Sequence, residues 1–285
     1  MTLFMVTQMA TLLPTLKTIL QATAVVGVIL GGGFSPSEAA QAADVGFNRR
    51  SSDPTNPFYQ NINDFQRFVN GEYNSLNAAQ VGAKQLDASK LNLKFDAEIL
   101  VFFINEGAYY RNQLGVNTTG STVVNNQILF NDLTCTTGCQ YLGYRAPSNQ
   151  FGTPDNKPLQ IGDYFNLGTV KAGTTLDFFL RQDGYSRSYA QTFYAQPERN
   201  SDKLQHLMAY DYNDILVLAW EDMTNGGDKD YNDVVFAVNI GKKNINQIST
   251  LGGRAVPEPA TLVGGFIATA FGWLFKKHRQ ASLHA

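Results

Sequence analysis

Five carboxylates lie within thirteen residues of this chain, in the stretch EDMTNGGDKDYND that separates Trp220 from Val234. Charges this close repel one another, and the stretch contains one cation, Lys229. A hard divalent cation can balance such a loop, because Ca²⁺ takes about six to eight oxygen ligands from carboxylates, amide carbonyls and backbone. The sequence therefore predicts a Ca²⁺ site with the candidate ligands Glu221, Asp222, Asp228, Asp230, Asn232 and Asp233.

The order of residues within this acidic loop suits a group of ligands. Asp228, Asp230 and Asn232 alternate, so an extended backbone would point all three side chains one way, and the two glycines just before them allow a tight turn. The first residues resemble an EF-hand loop, but Asp233 replaces its glycine and Asn239 its final glutamate, which excludes an EF-hand. The alternative is a polar hairpin loop of turn-forming residues exposed to water.

The tetrapeptide DYND occurs twice, at residues 211–214 and 230–233, and each copy precedes an apolar stretch. If the stretches 215–220 and 234–240 form a hairpin, Glu221 and the second copy meet at its connecting end. The first copy enters the hairpin from the far end, about 20 Å away at roughly 3.3 Å per residue. One ion cannot span that distance. We therefore interpret the first copy as a strand-entry turn and assign the metal site to the second.

Other chemistry has less support in the sequence. We expect Cys135 and Cys139, in the turn CTTGC, to form a disulfide, because metal binding by this pair would need two further soft ligands and the body of the chain has only His206 to offer. The same lack of histidine argues against Ser-His or Cys-His catalysis. Two carboxylates of the acidic loop could instead serve a glycosidase, which holds its catalytic pair about 5–10 Å apart.

The body of the chain shows many short apolar runs separated by turn residues. These runs cover residues 91–104, 122–130, 141–144, 175–180, 190–194, 204–210, 215–220 and 234–240. They predict an all-β domain over residues 91–240, an antiparallel β-sandwich of jelly-roll or Ig-like type. The last two runs have apolar residues at both odd and even positions and are predicted to lie centrally, covered on both faces. A polar segment, 43–90, precedes the domain and contains a short predicted helix around residues 60–70.

The N-terminus has the features of an export signal. A lysine and an apolar run over residues 18–34 precede a small-residue stretch, in which Ala40 and Ala42 fit the A-x-A pattern of a signal-peptidase site. We interpret residues 1–42 as a signal peptide that signal peptidase removes. The alternative is a membrane anchor that stays attached.

The C-terminus contains a VPEP motif, the uncharged segment 260–275 and a basic cluster, in that order. The segment is slightly shorter than the about 20 residues of a typical membrane span, and the basic residues beyond it favour a cytoplasmic end. This order resembles the PEP-CTERM sorting signal of Gram-negative bacteria and cyanobacteria, which an exosortase of the inner membrane recognises and processes. An ordinary C-terminal anchor is the alternative. Residues 256–285 are thus interpreted as a sorting segment with a C-terminal hydrophobic helix, preceded by a polar linker, 241–255. The resemblance rests on Pro257, Glu258, Pro259, Lys276, Lys277 and Arg279.

The stretch AWEDMTNGGDKDYNDVVFAV resembles the hallmark of the domain-of-unknown-function 4114 family, which occurs in exported and surface proteins of bacteria, often beside PEP-CTERM tails. The family pattern is an aromatic-Glu-Asp triplet, a glycine-containing loop, an Asp-x-Asp-aromatic-Asn-Asp run and an apolar strand. Residues 220–222 match the triplet and residues 228–233 match the run. The upstream stretches ILVFFINEGA and GTTLDFFLRQDG are similar to earlier strands of the family, so the resemblance covers residues 95–240. It implies a β-domain and no defined activity.

These patterns together predict an exported, non-catalytic surface or extracellular-matrix protein with a Ca²⁺-stabilised acidic hairpin loop. Signal peptidase and an exosortase are the expected processing partners, with the chain held at the inner membrane before it reaches the cell surface or exterior. Extracellular polysaccharide is a further candidate partner, because PEP-CTERM systems resemble machinery associated with extracellular polymer and biofilm. The alternative is a secreted carboxylate-dependent polysaccharide hydrolase. The chain has a formal charge of −2, and nothing in this balance suggests nucleic-acid binding, which usually requires a clustered basic face.

Overall fold

The structure, a computed structural model, describes residues 44–51, 56–69, 76–137, 139, 149–188 and 191–251. The interpreted export signal, the predicted strand at 141–144 and the interpreted sorting segment lie outside these residues. Within the described ranges, no helix is long and apolar enough to cross a membrane.

Eleven strands and three α-helices occur in the described residues. The strands are β1 (Gly46–Asn48), β2 (Lys84–Leu86), β3 (Ala97–Glu106), β4 (Gln113–Thr119), β5 (Val124–Phe130), β6 (Tyr164–Val170), β7 (Thr175–Arg181), β8 (Thr192–Tyr194), β9 (Leu207–Tyr212), β10 (Ile215–Trp220) and β11 (Val234–Asn239). The helices are α1 (Pro57–Gln60), α2 (Ile62–Phe68) and α3 (Lys242–Leu251). Short 3₁₀ turns lie at Ala88–Lys90, Pro197–Arg199 and Thr224–Gly226.

The strands form two antiparallel sheets packed against each other, which confirms the predicted all-β sandwich. The larger sheet has the order β1-β6-β3-β11-β10-β9-β2, and the smaller has the order β5-β4-β7-β8. Strands β10 and β11 lie near the middle of the larger sheet, and every residue of β10 is buried. The prediction that these two runs lie centrally is therefore confirmed.

The larger sheet is covered on both of its faces. One face meets the smaller sheet, and residues such as Leu218 and Phe236 pack there with Val116 and Phe178 of the smaller sheet. The opposite face carries helices α1 and α2, where Phe58 stacks on Phe102 with ring centroids 4.3 Å apart. Two apolar layers therefore hold the central hairpin rigid from both sides.

Helix α3 lies where the sequence predicted a polar linker. Ile245 and Ile248 are three residues apart, so they share one helix face, and both are buried in the core between the sheets. The side-chain oxygen of Asn244 accepts hydrogen bonds from the backbone amides of Lys94 and Phe95, at 2.8 and 2.9 Å. The mostly polar composition of this segment did not indicate a helix. Two isoleucines and one asparagine hold the helix against the sandwich.

Four strands lie outside the predicted runs. Strands β1 and β2 belong to the polar segment predicted to precede the domain, so the larger sheet begins earlier than residue 91. Strands β4 and β6 contain glycine and asparagine, which strands usually avoid. Each of them pairs with a strand on both sides, and these tertiary contacts override the weak local preference.

The first DYND copy is the turn that joins β9 to β10. Asn213 and Asp214 have φ values of 52° and 60°, and Tyr212 pairs with Ile215 across them. Two consecutive residues with positive φ form the tight turn that suits the twist of a hairpin. The interpretation of this copy as a strand-entry turn is confirmed, and it lies at the opposite end of β10 from the acidic loop.

Candidate metal site

The acidic loop, residues 221–233, connects the two central strands at one end of the larger sheet. Trp220 pairs with Val234 at the base of the loop, as the predicted hairpin requires. Beyond that pair, the backbone amide of Gly107 donates a 2.8 Å hydrogen bond to the carbonyl of Asp233, and the side chain of Asn105 donates to the carbonyl of Asn232. The loop is thus held by both strands of its hairpin and by the end of β3.

The backbone of the loop is tightly curled. Asn225, Lys229 and Tyr231 have φ values of 68°, 64° and 57°, which non-glycine residues seldom adopt. Gly227 has φ 39° and ψ −127°, and a Cβ atom there would lie 2.0 Å from Oε1 of Glu221. Only glycine fits this position. The backbone therefore passes directly against the Glu221 carboxylate, and the amide of Lys229 donates a 3.0 Å hydrogen bond to its other oxygen.

Three of the six predicted ligands come together. One carboxylate oxygen from each of Glu221, Asp228 and Asp230 lies within 4.8 Å of the other two. Glu221 and Asp230 are 1% and 3% exposed, whereas Asp228 is exposed, so the group is open to solvent on one side. Convergence arises from the positive-φ residues between them and from Gly227, rather than from the extended backbone that the alternation suggested.

The other three predicted residues have different positions. The carboxyl group of Asp233 contacts that of Glu221 and accepts a 2.7 Å hydrogen bond from the amide of Asp222. Asn232 donates to Asp230 from its backbone and from its side chain, at 3.1 and 2.6 Å, and so fixes that carboxylate. The Asp222 carboxylate instead accepts a 2.6 Å hydrogen bond from Asn112 and lies outside the group of three.

The electrostatics of the loop disfavour full ionisation. Burial, followed by the charges of Asp233 and Asp228, raises the pKa of Glu221 to about 9. Burial also raises the pKa of Asp233 to about 6, although hydrogen bonds from the Asp222 amide and from Glu221 oppose the rise. In the described part of the chain, no ion pair joins Lys229 to a carboxylate. Within the described residues, the one cation of the loop therefore does not neutralise any of its carboxylates through an ion pair.

His206 is a neighbour of the acidic loop that the sequence reasoning did not assign to it. It is fully buried, its Nδ1 lies 2.8 Å from the carbonyl of Glu221, and its Nε2 lies 2.9 Å from Asp202. Asp202 also accepts a 2.7 Å hydrogen bond from the amide of Asn225 in the loop. The register of the β9–β10 hairpin places His206 beside Glu221. Recognising the two-residue turn at Asn213 would therefore have predicted that His206 contacts the acidic loop.

Glu106 is a second residue that the sequence reasoning missed. It pairs with Val234 at the end of β3 and is fully buried, and among the described residues neither carboxyl oxygen accepts a hydrogen bond of normal geometry. Burial, followed by the charge of Asp222, raises its pKa well above the ordinary range, while the nearby Cys135 amide acts in the opposite direction. Burial therefore favours the neutral form of this carboxyl group. Its position at the end of a solid apolar run was the only signal in the sequence.

The predicted cysteine pair follows β5, the second strand of the β4–β5 hairpin in the smaller sheet. The structure joins Cys135 and Cys139 in a disulfide, and Cys135 is fully buried in the core between the sheets. The cysteines are thus placed in a structural role and supply no ligand to the acidic loop.

An antiparallel β-sandwich with a curled acidic hairpin loop is the class of protein that these observations define. Residues 170–241 match the family model described as Domain of unknown function (DUF4114). The match begins at Val170, the last residue of β6, and ends at Gly241, just before α3. It therefore contains the whole acidic loop. No curated protein and no solved structure matches the chain.

Proposed function

We propose that the chain is an exported, non-catalytic surface or extracellular-matrix protein whose acidic loop binds Ca²⁺ as a structural ion. The observation that supports this most strongly is the convergence of Glu221, Asp228 and Asp230, with one oxygen of each within 4.8 Å of the others. Gly227 keeps the backbone against this group, and Asn232 holds Asp230 in it. Such an arrangement of like charges is favourable when a cation lies among them.

The donor set fits a hard cation. Three carboxylate oxygens converge on the position, and carboxylate oxygens are ligands that Ca²⁺ prefers in proteins. Zinc prefers sulfur and nitrogen donors, and here the two cysteines are paired with each other while His206 contacts Asp202 and a backbone carbonyl. When bound, the ion would supply positive charge to a loop in which burial and nearby carboxylates raise the pKa of Glu221 and of Asp233.

The geometry favours a structural role over hydrolysis. Glu221 and Asp230 are almost fully buried beneath their own loop, so a polymer chain has little access to them. Ca²⁺ would instead fasten the loop to the central hairpin.

Export is proposed from the two ends of the sequence. The A-x-A site at Ala40 and Ala42 suits signal peptidase, and the VPEP motif with its apolar and basic segments suits an exosortase. The disulfide between Cys135 and Cys139 fits an oxidising compartment outside the cytoplasm. We propose transient anchoring at the inner membrane, followed by residence at the cell surface or in the extracellular matrix, with polysaccharide as a candidate partner.

A thermal melt with added Ca²⁺, with added Mg²⁺ and with chelator tests the metal proposal. Ca²⁺ at one hundred times its Kd stabilises the native state by about 2.7 kcal/mol. For a domain of this size that corresponds to a rise in Tm of roughly 5–10 °C. Mg²⁺ should give a smaller rise, because it demands shorter bonds and closer octahedral geometry.

A matched pair of variants localises the effect. Asp230→Asn changes the second DYND copy, and Asp211→Asn makes the same change at the corresponding position of the first copy. The calcium shift should be lost in the Asp230 variant and kept in the Asp211 variant. A Tm that ignores calcium in the unaltered protein, or an equal shift in both variants, would contradict a metal site in the acidic loop.

A further inference from the structure

The outer face of the smaller sheet carries a polar row that the acidic loop does not use. In β7, Leu176, Phe178 and Leu180 point into the core, so Arg181 points outward at the end of the same strand. The strand register places Gln113 of β4 on one side of Arg181 and Thr192 of β8 on the other. Three polar side chains therefore lie side by side across three strands.

A cavity of about 450 Å³ lies over this row. Its volume falls within the range of small-molecule sites, about 300–1,000 Å³, and it is larger than a simple inorganic anion requires. Two of its lining residues are arginines, several others can form hydrogen bonds, and none of the described residues that line it is a carboxylate. The lining residues are Gln113, Arg181, Gly184, Arg187, Ser188 and Thr192.

Arg181 is held in place by uncharged neighbours. Its Nη2 donates a 2.5 Å hydrogen bond to the side-chain oxygen of Asn126, and its guanidinium carbon lies 5.3 Å from the centroid of the Phe179 ring. Among the residues that the structure describes, no carboxylate forms an ion pair with Arg181. Arg187 pairs with Asp183 at 2.7 Å and is 56% exposed at its side chain. The cavity thus has a net positive lining.

Close packing beneath the cavity keeps this row in position. A Cβ atom on Gly115 would lie 2.1 Å from the Phe179 ring, so the ring lies flat against the strand. A Cβ atom on Gly184 would lie 2.6 Å from the side-chain oxygen of Gln113, so the turn after β7 also closes tightly over the row. Little reorganisation is needed before a ligand meets Arg181, which favours binding.

We infer that this arginine cavity binds the carboxylate of an acidic sugar unit in a polysaccharide. A guanidinium group matches a carboxylate through two parallel hydrogen bonds, and Gln113, Ser188 and Thr192 offer donors and acceptors suited to sugar hydroxyls. The choice of a polysaccharide rests on the proposed function at the cell surface or in the matrix. The cavity and its charge are independent of the acidic loop.

Binding of oligogalacturonate, a chain of uronic acid units, tests the inference when it is measured by calorimetry in the presence of chelator. Chelator removes any contribution of Ca²⁺ bridging the sugar to the acidic loop. Arg181→Gln should weaken binding about tenfold or more, because a hydrogen-bonded charge is lost. Arg181→Lys should restore part of the affinity, since it keeps the charge and loses the paired hydrogen bonds. Arg67→Gln, on α2 at the opposite face of the molecule, is the matched control and should bind normally.

Each result distinguishes this inference from the proposed metal site. Binding that survives chelator and falls in the Arg181 variants supports the arginine cavity even if the acidic loop binds no calcium. Binding that needs calcium and ignores Arg181 overturns the cavity and assigns the sugar to the acidic loop. Absence of binding to the unaltered protein, or inorganic phosphate competing as tightly as the sugar, overturns the inference as well. Arg187→Gln, at an exposed position, provides a second variant should Arg181→Gln unfold the protein.

Discussion

Replacing Gly227 with alanine would press a methyl group into the carboxylate that anchors the acidic loop. The new Cβ would lie 2.0 Å from Oε1 and 2.8 Å from Cδ of Glu221. Glu221 is 1% exposed and cannot swing into solvent without breaking its hydrogen bond from the Lys229 amide. The backbone conformation, φ 39° with ψ −127°, is itself unfavourable for any residue with a side chain.

The magnitude follows from two separate contributions. Forcing alanine into such a conformation costs about 1–3 kcal/mol. Displacing Glu221 leaves buried polar groups without partners, which costs a further amount of about 1–3 kcal/mol. Gly82 separates the two, because it has φ +73° and no atom within 4 Å of a Cβ placed there. Gly82→Ala should therefore show the cost of a positive φ without a steric clash.

Urea unfolding of both variants, with chelator and with Ca²⁺, measures these contributions. We expect Gly227→Ala to lose about 1–3 kcal/mol more than Gly82→Ala in chelator. We also expect Gly227→Ala to lose the stabilisation by calcium, because Glu221 no longer joins Asp228 and Asp230, whereas Gly82→Ala keeps it. Equal free energies of unfolding for the two variants, or a calcium response preserved in Gly227→Ala, would refute the reasoning.

Two further predictions concern buried charges. The pKa values of Glu221 and Asp233, about 9 and about 6, exceed those of free carboxyls, so the folded state binds protons more tightly than the unfolded state. Their contribution to stability is then full below about pH 4 and lost as pH rises through these values. In chelator, the free energy of unfolding should fall between about pH 4 and pH 9, and urea titrations at several pH values would measure this fall. Ca²⁺ should offset the fall at high pH. A free energy of unfolding that rises with pH in chelator would contradict the prediction. Separately, Arg111→Met should lower the free energy of unfolding by about 3–5 kcal/mol, because it leaves the buried carboxylate of Asp132 unpaired. Lys90→Met, which removes an exposed ion pair, should leave the unfolding midpoint nearly unchanged, and an equal effect of both changes would argue against a buried pair.

Sequence patterns were sufficient to predict the central β10–β11 hairpin and the turn through which the chain enters β10. Strand β10 is apolar at every position and β11 at all but its last residue, Asn239, which is typical of strands covered on both faces, and both strands lie near the middle of the larger sheet. The two DYND copies could be separated by counting residues along one strand. These features depend on local composition and on strand geometry, so a single sequence reveals them.

The remaining features depend on contacts between distant segments. Strands β4 and β6 form because both of their neighbours pair with them, and α3 forms because two isoleucines reach the core. Within the acidic loop, composition identified all the carboxylates but could not show that Asp222 turns towards Asn112 while Asp228 and Asp230 converge on Glu221. This arrangement follows from the curled backbone at Gly227 and from positive φ values at residues such as Lys229 and Tyr231, whose types do not predict a positive φ.

Calorimetric titration of the protein with Ca²⁺, at neutral pH and in the absence of sugar, tests the central claim most directly. We predict saturable binding of one Ca²⁺ ion that is lost or weakened about tenfold or more by Glu221→Gln, since a charged ligand is removed. Binding should also release protons, because Glu221 is protonated at neutral pH before the ion enters. No saturable binding to the unaltered protein, or binding unchanged by Glu221→Gln, would contradict a calcium site in the acidic loop.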